Sequence, residues 1–179
     1  MFKILFLSFT LIFKGFLNPE LIIGKERVEP GIIFIFEGAI KDQITPMSMH
    51  LSENLTSVHI EARVNWDTNY IPKGTPIKGF VPYLNITATI TNQKSGLLTF
   101  FDLKPHINLV DNFHYARNIS LPGKINELYT VQFSISPPTE VDLAIHKDWL
   151  VKYGKKIISN YRFEYKNIDF NEIAKAKRN

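Results

Sequence analysis

After Glu29 the chain is a succession of strand-length runs of β-branched and aromatic residues, each closed by Pro, Gly or Asn turn chemistry. The runs are "GIIFIFEGAI" (31–40), "SVHIEARVNW" (57–66), "YLNITATIT" (83–91), "LLTFFDL" (97–103), "LYTVQFSIS" (128–136) and "ISNYRFEY" (158–165). Between them fall "IPKGTPIKG" (71–79), "NQKSG" (92–96), "LPGKIN" (121–126) and "SPPTE" (136–140). No strand–helix alternation, internal repeat or Gly-rich phosphate loop breaks the series, so nucleotide folds are set aside. An all-β, antiparallel β-sandwich is expected. Only "DFNEIAKAKRN" (169–179) has a helical pattern, with Asp169 placed to cap it.

The 179 residues suit one domain. Its formal charge of +4 is not spread over that domain. Residues 25–174 hold 16 Lys or Arg against 16 Asp or Glu, and the excess sits in Lys3 and Lys14 at the start and Lys175, Lys177 and Arg178 at the end. Without a basic stripe, nucleic acid is not an expected partner. The absence of cysteine removes disulfides, thiol redox chemistry and thiolate metal sites. Lys3 is followed by the apolar run "ILFLSFTLIF" (4–13), which has the length of a secretory signal core and is too short for a membrane span. Export is expected, with residues 1–24 as signal peptide or N-terminal leader, 25–170 as the folded domain and 171–179 as a basic C-terminal tail. An uncleaved anchor is the alternative.

Candidate chemistry is carried by the five histidines. In "VHIEARVNW" a period of two puts His59, Glu61, Arg63 and Asn65 on one face and Val58, Ile60, Ala62, Val64 and Trp66 on the other. Next-but-one residues on a strand lie roughly 7 Å apart at Cα, so His59 and Glu61 can reach one ion together, although for this stretch taken alone a solvated strand face is the favoured reading. "FDLKPHINLVDNFHYARN" (101–118) supplies His106 and His114, with Pro105 expected to end the preceding strand. "LAIHKDW" (143–149) offers His146 after Pro137 and Pro138. Imidazole with carboxylate and no thiolate suits Cu(II), Zn(II), Ni(II) or Fe(II), with copper first in order of affinity. Met47, Met49 and His50 lie just upstream in "PMSMHL" (46–51), where a thioether would soften a site towards Cu(I). Hydrolase and metalloprotease signatures (G-x-S-x-G, H-E-x-x-H) are absent, so an enzyme is not expected. Sequons at Asn54, Asn85 and Asn118 arise easily by chance.

The runs "VHIEARVNW", "GFVPYLNITATITNQKSG", "LKPHINLVDNFHYARNISLPG", "YTVQFSISPP" and "LAIHKDW", in that order over residues 26–170, resemble the periplasmic iron-transport accessory proteins. These are small bacterial metal-binding proteins that work beside a high-affinity iron permease of the inner membrane. The resemblance implies an immunoglobulin-like sandwich, a homodimer, a bound copper ion and iron as the transported metal. It implies His59, Glu61, His114 and His146 as metal ligands and Met49 as a methionine near the site. His106 stands where many members have a methionine, with one more residue before His114, and imidazole in place of thioether hardens the site.

The function expected is therefore periplasmic binding of copper and iron ions through a His/Glu site, with iron passed to the permease and no small organic substrate. A copper-buffering or copper-delivery protein, or a copper-dependent oxidase of ferrous iron, are the other readings. Arg63 and Asp111 are expected to orient the ligands. Because imidazole binds metal only when neutral, affinity is expected to fall as pH drops through about 6.5.

Overall fold

The computed structural model describes residues 19–178. The leader expected over residues 1–24 therefore lies outside the described residues as far as residue 18, and its last residues, 21–24, belong to the first strand. That strand is β1 (Leu21–Val28), followed by β2 (Ile32–Ala39), β3 (Val58–Trp66), β4 (Asn85–Asn92), β5 (Leu98–Asn108), β6 (Asn112–Ile119), β7 (Leu128–Ser136) and β8 (Tyr161–Asp169). Two short helices, α1 (Lys147–Tyr153) and α2 (Asn171–Lys175), flank β8. The strands run β1-β2-β3-β6-β5-β4-β7-β8, and all the pairings are antiparallel. The all-β, antiparallel expectation holds.

One strand joins the two halves of this order. Residues Leu98–Leu103 of β5 pair with β4, whereas Lys104–Asn108 pair with β6. Pro105 does not end the strand as expected. Beyond Leu103 the strand has β6 as its one partner, an edge position at which a residue without N–H is tolerated. The inward faces of the halves meet in an aromatic core, with the Phe36 and Phe133 rings stacked at 4.0 Å between centroids and Phe34 tilted against Phe163 at 6.3 Å. The outer strands also approach one another. The Tyr165 hydroxyl donates to the Glu26 carboxylate at 2.8 Å, and its ring lies where a Cβ on Gly24 would stand 2.2 Å away. The sheet thus curls almost into a barrel, with glycine required at the seam.

The C-terminal segment is no loose tail. Phe170 and Ile173 are buried in the core, and the N-cap is Phe170 and not Asp169 as expected, although Asp169 at the end of β8 accepts from the Asn171 N–H at 2.9 Å. Helix α1 is not apparent in the sequence pattern. It is seven residues long, rests Trp149 on Trp66 at 6.4 Å, and stops at Gly154, whose φ of 80° closes the turn. Among the described residues no helix is long and apolar enough to cross a membrane.

Candidate metal centre

The alternation of β3 sends Val58, Ile60, Ala62, Val64 and Trp66 into the core and turns His59, Glu61 and Arg63 to the other face. Register extends that polar face across the sheet. Glu61 sits opposite Glu37 of β2 and Ala116 of β6, His59 opposite Asn118, and His106 of β5 directly opposite His114 of β6. The hairpin that fixes this last pair turns at Leu109–Asp111, where the Asn108 side chain accepts from the Val110 and Asp111 N–H groups.

This face is not solvated. The segment between β2 and β3 lies over it, tied down by the Asn118 amide, which donates to the carbonyls of Asp42 at 2.8 Å and Leu51 at 3.0 Å. His59, Glu61 and His114 are left 2–3% exposed. Their donor atoms all lie within 4.8 Å of one another. His59 Nε2 is 3.5 Å from Glu61 Oε1, and His114 Nε2 is 3.9 Å from the same oxygen.

Hydrogen bonding fixes which nitrogen of each ring is free. With both amide hydrogens of Asn118 given to carbonyls, its Oδ1 must accept, so His59 Nδ1–H donates to it at 2.7 Å. His114 Nδ1–H donates to the Asn112 carbonyl at 3.0 Å, and His106 Nδ1–H to the Lys104 carbonyl at 2.8 Å. Each ring therefore keeps its Nε2 lone pair, the arrangement by which outer partners orient metal-binding imidazoles. His106 Nε2 is buried with no partner at all. The Nε2 lone pairs of His59 and His114, turned to the Glu61 carboxylate, fit a transition-metal ion.

Burial governs the charges. It pushes the Glu61 carboxyl up to about 8, reinforced by Asp111, Glu37 and Glu20 and opposed by Arg63. Burial likewise lowers His59 to about 3, against the hydrogen bond it donates to Asn118, and holds His106, His114 and His50 below the usual imidazole range. Burial thus favours the neutral form both of the rings and of the Glu61 carboxyl, so a cation entering the cluster also competes with a proton on Glu61. Arg63 donates to Glu37 and, at 3.4 Å, to Asp111, and stands 3.8 Å from Glu20, so Arg63 and Asp111 act on Glu61 through charge, and among the described residues neither hydrogen-bonds one of the three clustered donors.

The other expected ligands divide. The His106 ring stands 5.5 Å from His59 and 5.9 Å from His114, at the rim of the cluster. Met49 is exposed and lines the same cleft. His146 lies apart. It precedes α1, its carbonyl accepts from the Leu150 N–H, and its side chain is exposed with no ring contact to the other histidines among the described residues. Two residues of the site escape the sequence motifs. Asn118 reads there as a sequon yet is buried as the partner of His59, and His50 reads as a loop residue yet stacks its ring edge-on to His106 at 5.0 Å. Asn118→Ala is expected to weaken metal binding about 10–100-fold by freeing the His59 ring, and equilibrium titration of the variant beside wild type measures it.

Comparison with known proteins places this geometry in context. A family model described as Fe2+ transport protein matches residues 17–171. No curated protein sequence matches the chain. Among solved structures, a copper-bound variant of P19 from Campylobacter jejuni aligns with a TM-score of 0.70 and 24% identity over 83% of this chain and 95% of that one. Copper-reconstituted P19 aligns at 0.68 and 23%, again over 83% and 95%. FetP of uropathogenic Escherichia coli strain F11, expressed in the periplasm of E. coli, aligns at 0.68 and 20% over 83% and 95%. At these identities the likeness is one of fold.

Proposed function

Since the chain belongs to the Fe2+ transport protein family, we propose that it is a periplasmic metal-binding protein of a high-affinity iron uptake system, which binds copper and iron and passes iron to an inner-membrane permease. The observation that carries this is the convergence of His59, Glu61 and His114 donor atoms within 4.8 Å in a buried cleft. Oriented imidazoles and one carboxylate make a donor set that suits both Fe(II) and copper. The copper-bound P19 structures and the periplasmic expression of FetP support the metal and the compartment, as does the apolar run after Lys3.

In this reading His59, His114 and Glu61 hold the ion, with His106 and Met49 at the rim. A copper ion held there would supply a redox-active centre. Asn118 and the Asn112 carbonyl keep the rings turned to the ion, the loop before β3 excludes water, and Glu61 gives up its proton when a cation arrives. His146, remote from these groups in its own chain, joins such a site from a second copy. The exposed Ile107, Leu109, Val110 and Phe113 on the β5–β6 hairpin are an apolar surface that a homodimer would cover. The two halves sharing β5, with Phe36 packed on Phe133, support the immunoglobulin-like sandwich. The protein binds and hands over its metal and turns over no substrate.

The test is a strain lacking this chain, grown on limiting iron or limiting copper and complemented with wild type or with a His59→Ala, His146→Ala double variant. Growth should fail on limiting iron only, and wild type alone should restore it. Failure on limiting copper only would show that iron is not its cargo.

A further inference from the structure

His50 has no counterpart in the inner cluster, yet it is firmly placed. The carbonyl of its neighbour Leu51 accepts from Asn118, and the Met49 N–H before it donates to the Pro46 carbonyl at 3.0 Å. Its ring meets His106 at 5.0 Å between centroids and an interplanar angle of 68°. Two imidazoles bound to one tetrahedral ion through metal–nitrogen bonds of about 2.0 Å hold their centroids about 5 Å apart. His50 Nδ1 and His106 Nε2 are both buried and without any partner in the protein. On His106 the other nitrogen carries the hydrogen, so the orphan is a lone pair. A pair of buried nitrogens left unsatisfied side by side calls for an occupant.

The surroundings choose among occupants. The inner trio contains a carboxylate and excludes His106 from the set whose donor atoms lie within 4.8 Å of one another. Around His50 and His106 the cleft offers one carboxylate, Asp42, and Arg178 holds it at 3.0 Å. Lys104, which lines the same cleft, is in turn paired with Asp102 at 2.7 Å, so the charges at the cleft mouth are already matched to one another. Of the other side chains that line the cleft, Met49 offers the soft donor, its thioether, while Gln43, Thr45 and Asn108 offer neutral oxygens. Imidazole and thioether without a free carboxylate select a soft monovalent cation over a hard dication.

We propose that His50 and His106, with Met49, form an outer copper(I) site at the mouth of the cleft, separate from the inner His59, Glu61 and His114 centre. His106 is then the residue between the two, one ring-width from His50 and little further from His59. The inference goes beyond the proposed function, since no part of it requires iron.

The experiment is anaerobic titration of apo-protein with Cu(I) in competition with a chromogenic Cu(I) chelator, for wild type, His50→Ala and a His59→Ala, His114→Ala double variant, each checked for folding by its thermal transition. His50→Ala should lose one Cu(I) equivalent relative to wild type while keeping the wild-type Cu(II) absorption spectrum, and the double variant should retain that equivalent. Wild-type stoichiometry in His50→Ala overturns the proposal. So does loss of the same equivalent in both variants, which would mean a single shared site. A His50-dependent equivalent in a protein whose inner centre takes up neither copper nor iron would sustain this site and remove the proposed function instead.

Discussion

Apo-protein carrying both His59→Ala and His114→Ala will bind Cu(II) and Fe(II) at least several hundred-fold more weakly than wild type. Removing only the hydrogen-bond partner of a metal-bound imidazole costs about 10–100-fold, and here two of the three converging donors are deleted outright. The remaining Glu61 is then a buried carboxyl whose environment favours its neutral form, which is a poor ligand. Competition titration with a chelator of known affinity measures the effect. Retention of wild-type affinity would place the ion elsewhere. The double variant also leaves the buried Asn118 Oδ1 without its imidazole donor, so a loss of about 1–3 kcal/mol of stability is expected beside the loss of metal. A thermal transition recorded on apo-protein separates the two effects.

Metal binding at pH 7 will release about one proton, and Glu61→Gln will abolish that release. Folding raises the Glu61 carboxyl from 4.5 to about 8, chiefly by burial. A group so raised contributes stability that is complete below pH 4.5 and is lost as pH climbs to about 8, at a slope near 1.4 kcal/mol per pH unit for one proton. His59 has the opposite sign. Lowered from 6.5 to about 3, it contributes stability that is complete above pH 6.5 and is lost as pH falls. The two slopes cancel between pH 4.5 and 6.5, so the apo-protein should be most stable across that range and weaken from pH 6.5 to 8, and a bound dication should reverse the alkaline decline by replacing the Glu61 proton. Calorimetry in two buffers of different ionisation enthalpy counts the protons. A release of none by wild type at pH 7 would mean that Glu61 is already ionised or is not displaced.

The strands and the polar face of β3 can be read from the sequence because a period of two is a local signal, and the β5–β6 histidines because a hairpin keeps near neighbours together. What covers that face cannot be read the same way. The segment between β2 and β3 has no periodicity, and it is held by residues far away in sequence, the Asn118 amide more than sixty residues on and Arg178 near the C-terminal end. A solvated strand and a buried metal centre are identical in pattern until that segment is placed. For the same reason His50 passes for a loop residue and Pro105 for a strand end. The first acquires its neighbour through tertiary contact, and the second is tolerated because β5 changes partner just before it. His146 shows the converse: its surroundings in sequence mark it as a site residue, but a single chain does not carry it there.

The Asn118 side chain gives all of its hydrogen-bonding capacity to two tasks, two hydrogens to the covering segment and one oxygen to His59. Neither task can fail alone. Lifting the segment would release the amide to rotate, and a rotated amide would offer His59 a donor where it now finds an acceptor, turning the ring's free electron pair away from Glu61. Closure of the cleft and competence of the ligand are thus one equilibrium, and an ion that selects the competent ring must also hold the cover shut. Cargo release, in this arrangement, needs no separate trigger at the ligand: prying at the cover is enough.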